Sequence, residues 1–189
     1  LTRMEAYVHA LAEALEPILH QPYAFFGHSM GSLVSFALTR YLRETGQPLP
    51  LHFMASAFRA PQAPPAKKIY HLPQEEFIHE LRETYDGVPD QLLNEPEILE
   101  LLLPVVRADL QVLDHYQYSA GDPLACPISV FGGTEDNFVQ ESQLREWAMQ
   151  TDAEFQQQMF AGNHYYLNTQ TEALLGTIRD ALKRHLGTQ

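Results

Sequence analysis

Residues 23–31 of the chain read Tyr23-Ala24-Phe25-Phe26-Gly27-His28-Ser29-Met30-Gly31. The first four of these residues are apolar without interruption, which is typical of a short strand that is buried on both faces. Glycine then breaks the run, and between Leu33 and Leu42 apolar residues recur at helical spacing. The stretch therefore predicts a buried strand, a tight turn centred on Ser29, and a helix.

The turn matches the pattern Gly-x-Ser-x-Gly, with Gly27 and Gly31 on either side of Ser29. Between a strand and a helix, this pattern is typical of the nucleophile elbow of α/β-hydrolases, where a strained turn exposes the serine hydroxyl. Glycines suit such a turn because they lack the β-carbons that would collide in it. The N–H of Met30 then lies at a helix N-terminus, where it can donate to a developing oxyanion. An ordinary Gly-rich turn is the structural alternative.

The rest of the chain alternates between strand and helix patterns. Further apolar strand candidates lie at 51–56, 128–131 and 155–160, and amphipathic helices are predicted at 4–19 and 170–186. Such alternation predicts an α/β fold with a mainly parallel sheet and helices on both faces.

A purely helical segment interrupts this alternation. Between residues 73 and 118 no strand pattern occurs, and the apolar spacing predicts helices over 74–85, 90–102 and 104–117. A stretch of some 45 residues without a strand does not fit the alternation of strands and helices in the rest of the chain, so we interpret it as an insertion.

The chain thus divides into two parts. Residues 1–72 and 119–189 form the predicted α/β-hydrolase core, and residues 73–118 form the predicted helical insertion. Within the insertion, Arg107 and Asp109 are candidates for a structural ion pair, without a catalytic role.

A serine nucleophile needs a base, which in α/β-hydrolases follows the acid in chain order. Of nine histidines, His164 lies in a loop between the last strand candidate and the closing helix. Parallel sheets place catalytic groups at the carboxyl ends of their strands, where this loop begins. We therefore predict that His164 is the base, the alternative being a structural histidine.

The acid is expected on a loop that follows an earlier strand. Asp136 meets this condition because it follows the candidate strand 128–131, and Glu135 is the alternative. A carboxylate there can accept the imidazole N–H opposite the catalytic nitrogen and so fix the tautomer. An aspartate that merely caps the loop is the structural alternative.

Composition excludes several other functions. Acidic residues outnumber basic ones 24 to 12, and the net charge of −12 repels phosphate backbones and anionic membrane surfaces. We therefore expect neither a nucleic acid nor a membrane as partner. Cys126 is the one cysteine, and no His-x-His or His-Glu-x-x-His motif occurs, so we expect no disulfide, metal or cofactor. A lone thiol and the lack of a signal pattern favour the cytoplasm.

Several motifs beyond the elbow are more particular. They are Phe26-Gly27-His28-Ser29-Met30-Gly31, Ser56 with Ala60-Pro61, Leu103-Pro104-Val105-Val106-Arg107-Ala108-Asp109, Cys126-Pro127-Ile128, Gly132-Gly133, Asp136, Trp147, Phe160 and Gly162-Asn163-His164-Tyr165. With these motifs, nearly the whole chain resembles the type II thioesterases, the stand-alone editing hydrolases of polyketide and nonribosomal peptide synthesis.

The resemblance implies a function and a partner. The reaction would be hydrolysis of acyl thioesters on the phosphopantetheine arm of an acyl or peptidyl carrier protein, with Ser29, Asp136 and His164 as the triad. The insertion 73–118 would be a mobile lid, and the protein would act as a monomer that meets its carrier transiently. Two alternatives stay open, namely a carboxylesterase or lipase for small free esters, and a truncated, non-catalytic module.

Two departures from the family pattern are visible. The family usually has Gly-Gly-His where this chain has Gly162-Asn163-His164. Similar proteins also carry further strands before the elbow and a Pro-Gly-rich loop that supplies a second oxyanion donor. By this comparison we expect roughly 60 residues to be missing before Leu1. The loss of one oxyanion donor typically lowers the rate by about 10²–10³.

Overall fold

A computed structural model of the protein describes residues 2–64, 67–84 and 96–186. The helices are α1 (Met4–Leu15), α2 (Met30–Glu44), α3 (Gln74–Thr84), α4 (Pro96–His115), α5 (Glu141–Arg145), α6 (Tyr166–Thr169) and α7 (Thr171–Leu186). The strands are β1 (Phe25–His28), β2 (Phe53–Ser56), β3 (Ile128–Gly133) and β4 (Phe155–Phe160), and short 3₁₀ turns cover Glu16–Ile18 and Glu146–Gln150. None of the described helices is long and apolar enough to cross a membrane.

The four strands form one parallel sheet in the order β1-β2-β3-β4, which confirms the predicted α/β class. In the register, Gly27 of β1 faces Ala55 of β2, which in turn faces Val130 of β3. Because all strands run the same way, the loops that follow them meet at one edge of the sheet. β1 lies at one side of the sheet, with β2 as its described neighbour.

Helices cover both faces of the sheet. On one face, Phe53 and Ala55 pack against Phe36 of α2 and against Trp147. On the other face, Met54 packs in the same cluster as Leu174 of α7. Since β2 and β3 are covered on both sides, all their residues are buried, which explains why these strands are mostly apolar or glycine and carry no charged residue.

Proline decides where the first helix ends. The predicted helix over 4–19 is α-helical only to Leu15, and a 3₁₀ turn that contains Pro17 follows. Proline has no N–H and clashes with the preceding turn, so an α-helix does not continue past it easily. The buried face of α1, formed by Met4 and Val8, packs against α2 as its spacing predicts.

Proline has a different effect in the insertion. The sequence predicts a helix break at Pro104, but α4 runs through that residue. Pro104 and Glu100, the residue four positions earlier, are both exposed, so water can satisfy the carbonyl that loses its N–H partner. Part of the predicted helix 90–102 lies outside the described residues.

The predicted ion pair between Arg107 and Asp109 is wrong. Arg107 instead donates to the carbonyl of Tyr70, and its guanidinium lies 3.9 Å from the ring centroid of Phe77. Asp109 accepts a hydrogen bond of 3.2 Å from the hydroxyl of Tyr7 in α1. Residues two apart in a helix point in different directions, which explains why each finds a partner elsewhere.

Candidate active site

Ser29 occupies a strained turn between β1 and α2. Its φ of 52° and ψ of −127° lie in a region that non-glycine residues rarely adopt. The Ser29 N–H donates to the carbonyl of Ser56 at 2.8 Å, and this bond continues the β1–β2 pairing into the turn. The elbow geometry predicted from Gly-x-Ser-x-Gly is therefore present.

The two glycines of the elbow do not have the same role. A β-carbon on Gly27 would lie 2.3 Å from the carbonyl oxygen of Gly31, so only glycine fits at position 27. A β-carbon on Gly31 would meet nothing within 4 Å. The prediction that both glycines avoid a collision thus holds for Gly27 and is wrong for Gly31, which contributes only the backbone carbonyl that a β-carbon at position 27 would hit.

His164 lies between Ser29 and Asp136. Its Nε2 is 3.1 Å from Ser29 Oγ, and its Nδ1 is 2.9 Å from Asp136 Oδ2. His164 is 3% exposed, so water does not compete strongly for either bond. With the proton on Nδ1 donated to the carboxylate, the Nε2 lone pair can accept the Ser29 hydroxyl.

The loop after β3 fixes the carboxylate of Asp136. Its Oδ1 accepts the N–H groups of Phe138 at 2.8 Å and Val139 at 3.1 Å, which leaves Oδ2 directed at His164. Glu135, the alternative acid, is exposed, and its backbone N–H donates to the carbonyl of Gly162. The structure therefore brings Asp136, and not Glu135, to the imidazole.

Gly133 allows the acid loop and the histidine loop to approach each other. A β-carbon on Gly133 would lie 2.3 Å from the carbonyl oxygens of both Gly162 and Asn163. The chain segment that carries His164 therefore crosses directly over the end of β3. The Gly132-Gly133 motif, noted in the sequence only as part of a resemblance, has this physical reason at its second residue.

A second group of polar side chains beside the triad was missed by sequence reasoning. His28 Nδ1 lies 2.9 Å from Ser56 Oγ, which lies 2.7 Å from the hydroxyl oxygen of Tyr166. Burial and the neighbouring His164 lower the pKa of His28 to about 4, and burial raises the pKa of Tyr166 to about 12. Ser56 was noted as a motif residue, but nothing in the sequence indicates which side chains it joins.

Within the described part of the chain, no group of three His, Cys, Asp or Glu side chains is arranged to hold a metal ion. The thiol of Cys126 is buried, and burial raises its pKa to about 11, so it is a poor nucleophile at neutral pH. Ser29 differs from Ser56, which also contacts a histidine, because the histidine at Ser29 is hydrogen-bonded in turn to a carboxylate, that of Asp136.

Comparisons with known proteins show which family the chain belongs to. The model of the thioesterase domain family matches residues 1–182. Linear gramicidin dehydrogenase LgrE of Brevibacillus parabrevis is 42% identical over 189 residues, which cover 98% of this chain and 72% of that protein. Gramicidin S biosynthesis protein GrsT of Aneurinibacillus migulanus is 44% identical over 168 residues, which cover 88% of this chain and 65% of that protein.

Solved structures give the same result. The type II thioesterase BorB from the borrelidin biosynthetic cluster superimposes with a TM-score of 0.83 at 34% identity, over 95% of this chain and 73% of that one. RedJ, a thioesterase of the prodiginine pathway in Streptomyces coelicolor, gives 0.81 at 32% identity, over 100% and 68%. The chain thus spans about two thirds to three quarters of the length of these relatives. The family match over 182 residues and the agreement in fold show that this chain belongs to the thioesterase domain family.

Proposed function

We propose that this protein is a type II thioesterase, which hydrolyses acyl thioesters from the phosphopantetheine arm of an acyl or peptidyl carrier protein. The observation that supports this most is the line of contacts from Ser29 Oγ through His164 to Asp136 Oδ2 in a chain of the thioesterase family. The carrier-bound substrate follows from relatives that are named for nonribosomal peptide and polyketide pathways.

In the acylation step, Ser29 Oγ attacks the thioester carbonyl carbon while His164 Nε2 takes the hydroxyl proton. The carbonyl oxygen becomes an anion, to which the N–H of Met30 donates from the first position of α2. The C–S bond then breaks, and the departing sulfur takes the proton back from His164. A thiol with a pKa near 8.5 is a good leaving group, so this step needs little help from the acid.

In the deacylation step, a water molecule replaces the thiol. His164 Nε2 takes a proton from the water, whose oxygen attacks the ester carbonyl of the acyl-enzyme. The bond between the carbonyl carbon and Ser29 Oγ breaks, and the proton passes from His164 to Oγ. The products are a carboxylic acid and the free serine. In both steps Asp136 orients the imidazole and stabilises its cationic form.

We also propose that residues 73–118 form a lid over this site. In support, the described helices of the insertion share their own apolar cluster, in which Phe77 and Leu81 of α3 pack with Leu103 and Leu110 of α4. The end of α4 is fixed to the core, since Val112 is fully buried in the cluster beneath α1 and α2. A unit with its own core and one anchored end can move without unfolding the sheet.

The partners and location follow from the same proposal. The protein acts as a monomer on carrier-bound acyl groups, and its single cysteine, which has no partner for an internal disulfide, favours the cytoplasm. It needs no cofactor, since serine, histidine and aspartate provide the whole reaction.

Turnover of two matched substrates tests the proposal. The same acyl group is offered as a carrier-protein thioester and as a p-nitrophenyl ester, and we expect a much higher kcat/KM for the thioester. Ser29→Ala should abolish both activities with an unchanged fold. A strong preference for the free ester would favour a carboxylesterase instead. If a fluorophosphonate probe fails to label Ser29 in folded protein, the chain is a non-catalytic module.

A further inference from the structure

Ser56 occupies a central position between the two loops that meet at the active site. It is the last residue of β2 and is fully buried. Its backbone carbonyl accepts the N–H of Ser29 at 2.8 Å, and its Oγ contacts His28 Nδ1 at 2.9 Å. The same Oγ contacts the hydroxyl of Tyr166 at 2.7 Å. One residue therefore contacts the elbow twice and the histidine loop once.

The two partners of Ser56 Oγ lie next to the catalytic residues in the sequence. His28 immediately precedes Ser29, and Tyr166 follows His164 by two residues. The hydrogen-bond chain from Tyr166 through Ser56 to His28 therefore joins the nucleophile's turn to the base's loop without using the bond between Ser29 and His164. Two separate routes therefore fix the distance between these catalytic groups, namely their own hydrogen bond and the hydrogen-bond chain through Ser56.

Packing fixes the Tyr166 end of this hydrogen-bond chain, and the His28 end lies beside the catalytic base. The ring of Tyr166 is 1% exposed and stacks on Phe160, with centroids 5.2 Å apart and planes within 6°. The ring of His28 lies 5.1 Å from the ring of His164. A hydroxyl can donate one hydrogen bond and accept two, so Ser56 Oγ can serve both partners at once.

The protonation state of His28 suits this role. Burial lowers the pKa of its imidazole to about 4, so the ring is neutral at the pH where a histidine base works. A neutral ring beside His164 adds no second positive charge when His164 becomes cationic during the reaction. Its Nε2 has no hydrogen-bond partner within the described part of the chain, so Ser56 gives the ring its orientation.

We propose that Ser56 and Tyr166 are positioning residues, whose hydrogen bonds through His28 hold Ser29 Oγ and His164 Nε2 at reacting distance. The inference rests on the proposed role of Ser29 as nucleophile, but not on the identity of the substrate. Acyl transfer is sensitive to small displacements, because the reacting atoms must be close and aligned before the reaction begins.

The test measures the nucleophilicity of Ser29 directly. A fluorophosphonate forms a bond between its phosphorus and Ser29 Oγ, fluoride leaves, and His164 takes the serine proton. We expect Tyr166→Phe to lower the labelling rate about 3- to 10-fold and Ser56→Ala about 10-fold. The double variant should label no more slowly than Ser56→Ala alone, because both changes break the same hydrogen-bond chain. With a thioester substrate, kcat should fall and KM should change little.

Tyr23→Phe is the matched control. It removes a tyrosine hydroxyl that also donates a hydrogen bond, to the carbonyl of Pro48, but it lies before β1 at the opposite end of the strand from Ser29. Thermal unfolding of each variant measures the loss of stability separately, and Ser56→Thr, which keeps a hydroxyl, should recover part of the labelling rate.

Three results would overturn the proposal. They are labelling of folded Tyr166→Phe within about twofold of the wild-type rate, additive effects in the double variant, or an equal loss in Tyr23→Phe. If the wild-type protein is labelled at Ser29 but does not hydrolyse the carrier-bound thioester, that result contradicts the proposed substrate and leaves the positioning role to be decided by the variants. If Ser56→Ala does not fold, the Tyr166→Phe comparison decides alone.

Discussion

Asp136 accepts N–H groups from three residues, two of them in its own loop. The bonds from Phe138 and Val139 occupy Oδ1, and His164 Nδ1 contacts Oδ2. This division of the carboxylate means that the loop fixes one oxygen so that the other can orient the imidazole. Replacing Asp136 with a side chain of the same shape but different hydrogen-bonding capacity therefore changes the orientation of the imidazole while the packing of the loop is kept.

Asp136→Asn is expected to keep the fold and lose most of the activity. The amide can still accept from the loop, but its NH₂ group faces His164 Nδ1 and favours the tautomer with the proton on Nε2. That tautomer cannot accept the Ser29 proton, so kcat should fall by about 10³–10⁴. Steady-state turnover of a thioester measures the loss. Glu135→Gln, a matched change at the adjacent exposed position, should be close to wild type, and an equal loss there would contradict the assignment.

Gly133→Ala is expected to separate the acid loop from the histidine loop. The new β-carbon would meet the carbonyl oxygens of Gly162 and Asn163 at 2.3 Å, so the backbone must move and His164 moves with it. A displacement of about 1 Å can lower kcat about 10²-fold. Kinetics and thermal unfolding of the variant measure both effects.

Gly176→Ala in α7 is the control for this substitution. The nearest described atom to its β-carbon is 3.9 Å away, on the side chain of Arg179, so the change should be tolerated. Alanine is a better helix former than glycine, so the free energy of unfolding should rise by about 0.5–1 kcal/mol. A fall in activity comparable to that of Gly133→Ala would exclude the crowding argument.

Chain order was sufficient to select the three residues that the structure brings together. A serine between glycines, an acid after a strand and a histidine after the last strand are features that a sequence displays directly. The contacts of His28 could not be predicted in this way. Its ring turns toward Ser56 and not toward Ser29 Oγ, and side-chain direction at a strained turn depends on packing from distant residues such as Tyr166.

At the level of elements, strands were easier to predict than helix boundaries. The fully buried strands β2 and β3 show as short apolar runs because both faces are covered. The same residue type has two outcomes: Pro17 lies in the 3₁₀ turn that follows α1, whereas Pro104 lies inside α4. Pro17, Pro104 and the residues four positions before them, Glu13 and Glu100, are all exposed, so solvent exposure does not explain the difference.

Leu103→Ala is expected to loosen the packing between α3 and α4, which belong to the proposed lid, without loosening the sheet. Leu103 is 6% exposed and packs in the cluster shared by α3 and α4. Its truncation should cost about 2–5 kcal/mol within that unit. Hydrogen exchange should then become faster in α3 and α4 while β2 and β3 stay protected. Uniformly faster exchange across the sheet would show that residues 73–118 do not behave as a separate unit.

For the whole molecule, stability should depend on pH through a histidine far from the active site. His52 precedes β2, is 1% exposed, and contacts Ser129 Oγ at 2.8 Å and His185 of α7 at 3.0 Å. Burial and the adjacent His185 lower its pKa to about 4 from an ordinary value of 6.5. The unfolded chain therefore binds the proton more tightly than the folded one.

The sign follows from this difference. The contribution of His52 to the free energy of unfolding is fully present above pH 6.5 and is lost as the pH falls toward 4. In that range the unfolded state binds a proton at His52 and the folded state does not. For His52 alone the loss between pH 7 and pH 5 is about 2 kcal/mol. Denaturant unfolding at both pH values measures it, and His52→Gln should make the dependence shallower. His28, with a similar shift, adds to it. An unchanged slope in His52→Gln would mean that other groups cause the acid sensitivity.

The nucleophile follows a strand that has a described neighbour on one side only. Along β1, the amides of Phe25 and Ser29 donate to the carbonyls of His52 and Ser56, and the alternation of a strand turns those of Phe26 and His28 the other way. The outer row of backbone groups can accept another extended segment. A peptide that pairs there would lie against β1, the strand directly before Ser29. Binding of a peptide at the outer edge of β1 would therefore be linked to the reactivity of Ser29.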